Sequence, residues 1–375
     1  MTVKQPHILL TGGGTGGHIF PLVAVAERLR GKARVSVVVE QGSSFAAEAF
    51  SGLGVEIHEI KAGKLRRYHG RDRWKTLHPK NVGWNLRDGG RTIAGLIGSI
   101  RLLRRLQPDL IFCKGGYVAL PVSLAGVTRS IPIVTHDSDI LPGITNRIIS
   151  RWAVKIAVGF PREHYQKYPA QKLVHVGVPI RADCVSTPPP AHKTRQIAVV
   201  GGSNGARAIS RAILTVGKSL MELARVTHIA GKADYRAINE VTRGWQDTNR
   251  YKLYDFVGEK YLDILKSSDL VICRAGATTM AEAAAVGRPM IIVPNPRLTG
   301  GHQLLNSYAM EETGGAVVIG EPQLTAEPEL LVATVRDILE DDKKRQWLVK
   351  NARSLFPADA AERLADLLLE TAVKR

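Results

Sequence analysis

Two stretches of this chain repeat one local pattern: an apolar strand, a glycine-rich turn, and the start of a helix. The first reads Ile8-Leu9-Leu10-Thr11-Gly12-Gly13-Gly14-Thr15-Gly16-Gly17-His18, the second Ala198-Val199-Val200-Gly201-Gly202-Ser203-Asn204-Gly205-Ala206. Such openings belong to α/β domains, whose ligands sit beyond the carboxyl ends of parallel strands. One opening in each half predicts two similar domains facing one another across a cleft.

The remaining pattern agrees. Short apolar runs at Val35–Val39, Val55–Ile60, Leu110–Phe112, Ile131–Thr135, Val154–Val158 and Leu173–Val176 follow the first opening. Val226–Ile229, Tyr254–Val257, Leu270–Cys273, Met290–Val293 and Ala316–Ile319 follow the second. Helical spacing fills the gaps, as in Ile93, Leu96, Ile97, Ile100 and Leu103. Continuous Val/Ile/Leu strands alternating with helices imply parallel sheets covered on both faces. Pro179 and the Ser186-Thr187-Pro188-Pro189-Pro190 run interrupt the alternation as a stiff linker. The expected division is 1–178, a linker at 179–194, a second domain at 195–355, and a terminal helix at 356–375. That helix, with Ala361, Leu364, Ala365 and Leu368 on one face, must dock, and the N-terminal domain is its expected partner.

The 375 residues, 44% hydrophobic and 23% charged, exclude a disordered or collagen-like chain. A net charge of +18 favours an anionic partner. Cys113, Cys184 and Cys273 form no CxxC and no disulfide framework, which suits a reducing compartment. No signal-like stretch opens the chain, and no apolar run approaches the roughly 18 residues that span a bilayer. A cytoplasmic protein that meets a membrane only at its surface is the expectation.

Gly12-x-Gly14-x-x-Gly17 also fits a dinucleotide fingerprint, with Glu40 ending the next strand where a ribose-binding acid would stand. Common to all such loops is a backbone free to approach phosphate at a helix N-terminus. His18, in the first helical turn, is placed to act as a base.

Four segments taken together resemble the MurG family of N-acetylglucosaminyltransferases, which convert lipid I to lipid II in peptidoglycan synthesis. They are Gly13–Pro21, Gly115-Gly116-Tyr117-Val118, Gly201–Ala206, and Cys273-Arg274-Ala275-Gly276-Ala277-Thr278-Thr279-Met280-Ala281-Glu282 with His302-Gln303-Leu304-Leu305-Asn306. The resemblance implies a GT-B fold of two Rossmann-like domains. The N-terminal one would take the lipid-linked acceptor, the other UDP-N-acetylglucosamine, with no cofactor. It implies that Thr15, Gly16 and Gly17 close over the sugar and phosphate side, and that Arg181 and Ser203 approach the nucleotide. Val257 would lie at the uracil, and Ala277, Thr278, Thr279, Met280 and Ala281 would form the helix start at the pyrophosphate. Glu282 would bind ribose and Gln303 the sugar. Gly115, Gly116, Tyr117 and His136 would line the acceptor side. The residues themselves agree for the fourth segment. A helix opening at Gly276 offers unpaired N–H groups to a diphosphate, and Glu282 is the one polar point among alanines. Arg274 fits a salt bridge at the core edge.

Where the family carries His-Glu-x-Asn, this chain reads His136-Asp137-Ser138-Asp139. Asp139 can only accept hydrogen bonds where an amide also donates, and it is a second candidate base beside His18. The Asp137-x-Asp139 spacing imitates a metal-binding motif of a different glycosyltransferase fold, and no obligatory metal is expected here.

From Lys61 to Arg105 there are thirteen Lys/Arg against Asp72 and Asp88, with aromatic and leucine side chains interleaved. Leu65, Arg66, Arg67, Arg71, Arg73, Trp74 and Trp84 form the expected membrane surface, preferred over a nucleic-acid surface because the segment lies in the expected acceptor domain, where the resemblance implies a lipid-anchored substrate must be met. The sequence thus reads as an inverting, metal-independent transferase that moves N-acetylglucosamine from UDP to the 4-hydroxyl of the muramoyl sugar of lipid I. The alternatives are another acceptor for the same fold, or a basic nucleic-acid-binding protein.

Overall fold

A computed structural model describes residues 5–13, 16–64, 78–184, 187–188, 194–202, 205–258, 260–297 and 299–373. The chain divides into two compact units. Unit 1 comprises Met1–Ala182 with Asp359–Arg375, and unit 2 comprises Asp183–Ala358.

Unit 1 is a seven-stranded parallel sheet of β1 (His7–Gly12), β2 (Arg34–Glu40), β3 (Glu56–Ile60), β4 (Leu110–Gly115), β5 (Ile133–Asp137), β6 (Lys155–Val158) and β7 (Leu173–His175), in the order β3-β2-β1-β4-β5-β6-β7. Its helices are α1 (Gly16–Leu29), α2 (Ser44–Ala49), α3 (Pro79–Leu106), α4 (Gly116–Thr128) and α5 (Ile144–Ile149). Side chains alternate between the sheet's faces. Ile8 and Leu10 pack with Leu22 and Leu29 of α1, whereas Leu9 joins Val118 and Val122 of α4 on the other face. Strand order reverses between β1 and β4, and the helices that follow them, α1 and α4, go to opposite faces of the sheet.

Unit 2 repeats the plan with β8 (Gln196–Val200), β9 (Arg225–Ile229), β10 (Tyr251–Tyr254), β11 (Leu270–Cys273), β12 (Met290–Ile292) and β13 (Val317–Val318), ordered β10-β9-β8-β11-β12-β13 and parallel throughout. Helices α6 (Arg207–Leu223), α7 (Tyr235–Gln246), α8 (Lys260–Ser267), α9 (Ala277–Val286), α10 (His302–Glu312), α11 (Glu321–Ala326), α12 (Glu329–Glu340) and α13 (Asp342–Leu355) complete it. Ile209, Ile213 and Leu220 of α6 and Leu331 and Val335 of α12 cover one face of its sheet. The segment entering unit 2 is tied down by buried Arg288, whose Nη2 donates to Thr187 Oγ1 at 2.7 Å and to the Pro188 carbonyl at 3.2 Å.

The last helix, α14 (Ala360–Val373), returns to unit 1 and lies against α1. Leu364, Ala365 and Leu368 are fully buried there among Leu22, Val25 and Leu29. Each leucine so buried contributes about 1.5–3 kcal/mol.

Two local expectations are corrected. The third strand candidate of the second half, expected at Tyr254–Val257, runs from Tyr251 to Tyr254 instead. Tyr251 and Leu253 point inward, and Asp255 Oδ1 then accepts the Phe256 N–H at 2.7 Å, a turn that stops the strand. The periodicity of α3 put Ile93 and Ile97 in the core, yet both are exposed. The seam this helix buries is Asp88, Gly95, Ser99 and Leu103. Gly95 lets it approach the chain at Lys61 so closely that a Cβ there would stand 2.1 Å from the Lys61 carbonyl oxygen. Leu96, Ile100 and Leu103 of the same spacing do pack with the core, so close backbone approach and apolar contact together set the buried face.

Candidate functional site

In unit 1 the predicted residues gather at the carboxyl ends of β1, β4 and β5. The two glycine loops touch: Gly116 has φ +82°, and a Cβ on it would lie 2.2 Å from the Gly13 carbonyl oxygen. Only glycine fits there. Gly16 and Gly17 open α1 and His18 follows, half-buried. Thr15 lies outside the described residues. Burial, then the charge of Lys114, holds the His18 imidazole down to about 3, so it is unprotonated at neutral pH.

The β5 end is fastened by α5. Asn146 Nδ2 donates to Asp137 Oδ1 at 2.9 Å and to the His136 carbonyl at 2.8 Å. Its Oδ1 accepts from Cys113 Sγ at 3.6 Å, and Thr145 Oγ1 donates to the Gly116 carbonyl at 2.9 Å. Asp137 also accepts from the Gly143 N–H at 3.1 Å, at the start of α5, and from the Tyr168 hydroxyl at 2.7 Å. Its carboxylate is therefore occupied by protein donors. Burial raises its proton affinity, and these donors oppose that rise. His136 is fully buried and donates through Nε2 to the Gly177 carbonyl at 2.9 Å. Burial, then Lys114, lowers it to about 3. Asp139, two residues on, is half-buried, and its carbonyl accepts from the Tyr165 hydroxyl at 3.1 Å. The Tyr117 phenol is bonded to Glu40, so the acid that a dinucleotide fingerprint would assign to ribose is taken by the residue after Gly115-Gly116. Arg181 belongs to unit 1, its guanidinium 5.8 Å over the Phe20 ring of α1.

In unit 2 the loops after β8, β10, β11 and β12 carry the predicted donor residues. β8 pairs with β11, Val200 opposite Cys273, which brings the second glycine loop beside the Arg274–Gly276 turn. Ser203 lies outside the described residues. Helix α9 opens at Gly276 in extended conformation, with no acidic residue in its first turn. Thr278 and Thr279 are half-buried at that end, while Ala277, Met280 and Ala281 face the core. Glu282 is 6% exposed, so it is not a solvated surface glutamate. The Tyr261 hydroxyl faces Glu282 and Thr279, and burial followed by the Glu282 charge holds its phenol well above the ordinary value. Asn306 Nδ2 donates to the Ala275 carbonyl at 3.0 Å and fixes α10 to the same turn. Gln303 is buried and accepts the Asn295 N–H at 2.9 Å through Oε1. Val257, half-buried in the loop after β10, accepts the Lys260 N–H at 3.0 Å. Arg274 braces the edge by donating to Glu321 at 2.7 Å and to the Val293 carbonyl at 3.1 Å.

Sequence reasoning missed Asn146, Thr145, Tyr168, Tyr261 and Lys114. The signal for Lys114 was present: a single charge at the end of the apolar run Leu110-Ile111-Phe112-Cys113. Of the expected membrane residues, Leu65, Arg66, Arg67, Arg71, Arg73 and Trp74 lie outside the described residues. Trp84 is described and exposed. Among the described residues no helix is long and apolar enough to cross a membrane.

Residues 8–158 match the glycosyltransferase family 28 N-terminal domain, and residues 196–364 match the C-terminal domain of that family. A UDP-N-acetylglucosamine–N-acetylmuramyl-(pentapeptide) pyrophosphoryl-undecaprenol N-acetylglucosamine transferase of Desulforudis audaxviator is 33% identical, over 98% of this chain and 99% of its own length. The protein of that description from Salinibacter ruber is 32% identical, over 97% and 96%. The crystal structure of Acinetobacter baumannii MurG superposes with a TM-score of 0.69 at 24% identity, covering 97% of this chain and 99% of that one. It shares the two-domain GT-B fold.

Proposed function

The chain belongs to glycosyltransferase family 28, and on that premise we propose that it transfers N-acetylglucosamine from UDP-N-acetylglucosamine to undecaprenyl-pyrophosphoryl-N-acetylmuramyl-pentapeptide, making lipid II for the bacterial cell wall. The observation that carries this reading is the end of α9. A ten-residue helix opens there with no side-chain cap bond and no competing carboxylate in its first turn, and a buried glutamate stands one and a half turns inside. That pairing suits a nucleoside diphosphate: the helix end takes the pyrophosphate, the carboxylate accepts from the ribose diol.

The transfer needs a base on the acceptor hydroxyl and stabilisation of the departing diphosphate. His18 and Asp139 are the candidate bases, both at the carboxyl edge of unit 1. The unprotonated His18 imidazole can accept a proton. The N-terminus of α9, with Ser203 and Arg181, supplies the leaving-group side. Gln303 and the first glycine loop serve the sugar, and Gly115, Gly116 and Tyr117 serve the acceptor, with His136 supporting them from within. Attack from the face opposite the departing UDP inverts the anomeric centre. No step calls for a metal or cofactor.

The acceptor is lipid-linked, and unit 1 carries the surface suited to meet it at the cytoplasmic face of the membrane. Leu86, Ile93 and Ile97 are exposed on α3, and their spacing of seven and four places them on one side of the helix. Arg87, Arg91, Arg101, Arg104 and Arg105 accompany them. Apolar side chains among cations suit adsorption to an anionic leaflet.

The deciding experiment incubates the protein with UDP-N-acetylglucosamine and a short-chain lipid I analogue and follows the disaccharide product. Formation of UDP without disaccharide, or no reaction at all, rejects the assignment.

A further inference from the structure

Lys114 is 4% exposed at the carboxyl end of β4, in the middle of the unit 1 site. Its position comes from an irregularity in the sheet. Thr11 pairs with Cys113, but Gly12 pairs with Gly115, so Lys114 is the residue skipped in the β1–β4 register. A bulge of this kind re-aims a side chain, and bulges collect beside active sites. The aim here is tightly set. The position a Cβ would take on Gly12 lies 3.1 Å from the Lys114 Cβ and 3.4 Å from the His18 carbonyl oxygen, so the base of Lys114 and the start of α1 both pack on this one glycine. A buried cation is costly without opposite charge nearby.

We propose that Lys114 is a positioning residue of the transfer site, a buried cation aimed by the β4 bulge against the same glycine that the start of α1 packs on, which keeps the His18 imidazole in its accepting form. The inference deepens the transferase reading and rests on it for its kinetic test alone. Titratable groups act on Lys114 from each neighbouring element: His18 from α1, His136 and Asp137 from β5, Asp139 from the following loop, and Cys113 from β4 itself. Burial pulls its ammonium below the ordinary value, and the Asp137 and Asp139 carboxylates hold it up. Asp137 is already bound by Asn146, Gly143 and Tyr168. Asp137 is the first of the two carboxylates whose charge holds the Lys114 ammonium up, and Asp139 is the second. The same cation disfavours a proton on His18, keeping that imidazole an acceptor.

The test uses the full-length chain. In Lys114→Met the His18 titration midpoint, followed by NMR, rises by at least about half a pH unit. In Lys114→Arg it stays at the parent value. Turnover of Lys114→Met falls about tenfold or more with the donor KM little changed, and the acid limb of kcat moves to higher pH. An unchanged His18 midpoint overturns the proposal. So does lost turnover that tracks a lowered melting temperature with no movement of the acid limb. Should Lys114→Met not fold, the half-buried Asp139 offers the second arm. In Asp139→Asn the Lys114 ammonium titrates at least about half a unit lower than in the parent, and an unaltered value overturns the pairing. Both titrations are independent of substrate, so a protein that transfers no sugar fails the transferase reading without touching this one.

Discussion

The phenol of Tyr117, the residue after Gly115-Gly116, donates to the carboxylate of Glu40 at the end of β2. The bond links two loops on either side of β1 and leaves neither group free to act as an isolated surface residue. Burial, then this bond, lifts the Tyr117 phenol above its ordinary value. The stabilisation is therefore complete below about pH 10 and is lost as pH rises through the folded value. Tyr117→Phe should cost about 1–3 kcal/mol in urea unfolding and flatten the alkaline fall in stability. A variant as stable as the parent, with the same alkaline limb, refutes this account of the pair.

Glu282→Ala should weaken UDP and UDP-N-acetylglucosamine equally, by about 1–3 kcal/mol, because the lost contact is to ribose and not to the sugar. Titration calorimetry reads both affinities directly. Unchanged UDP affinity in a folded variant removes Glu282 from the site.

Replacing the base should slow chemistry and spare donor binding. His18→Ala or Asp139→Asn should lower kcat by roughly two decades or more at saturating substrates. Because His18 is held at about 3, its loss should be felt evenly from pH 6 to 8 and not as a shifted limb. If both single variants turn over at the parent rate, the base lies elsewhere.

Acid should weaken the fold through buried histidines. His136 and His228 are fully buried, and burial is the first cause of values of about 3 and about 4. His228 is held by Tyr251 at 2.8 Å and by Ser210 at 3.3 Å. Each folded value lies below the unfolded one, so the contribution is complete above about pH 6.5 and is lost as pH falls toward the folded value. Each histidine adds a slope of up to about 1.4 kcal/mol per pH unit in that window. Urea midpoints at pH 7, 6 and 5 measure it. His228→Gln should show the shallower slope, and an equal slope rules His228 out.

Anionic vesicles should sediment the protein, zwitterionic ones should not, and salt should release only part of it, because exposed charges are screened beyond about 10 Å at 0.1 M while apolar contacts persist. Leu86→Ser with Ile93→Ser and Ile97→Ser should remove the salt-resistant part. Arg66, Arg67, Arg71 and Arg73 changed together to Ser should remove the salt-sensitive part while turnover of a soluble acceptor continues. Undiminished vesicle binding by both variants moves the membrane surface elsewhere.

Most strands were legible because a parallel strand covered on both faces is a continuous apolar run, as in Ile8-Leu9-Leu10 or Val271-Ile272. What escaped was set by geometry that composition does not record. The strand ending at Tyr254 stops on an aspartate turn inside a run that still looks apolar. The buried seam of α3 includes Gly95 and Ser99, which carry no hydrophobic signal. The glycine loops and the α9 opening were readable, since a backbone that must approach phosphate needs glycine or a helix end. Their supports were not. Asn146 and Tyr168 act across nine and thirty-one residues of sequence, and Lys114 is aimed by a register slip visible only when β1 and β4 are paired.

The return of α14 sets the order in which the protein can be finished during synthesis. The part of unit 1 up to Ala182 is made before unit 2, yet Leu364 and Leu368, which close its core over α1, are made after it. Unit 2 is contiguous and can complete its own core while unit 1 still waits. At ~5–20 residues per second, the intervening Asp183–Ala358 segment alone holds that core open for roughly 10–35 s. During that interval Leu22, Val25 and Leu29 present an uncovered apolar face. The unit interrupted by the other is the one that a nascent-chain chaperone would have to guard longest.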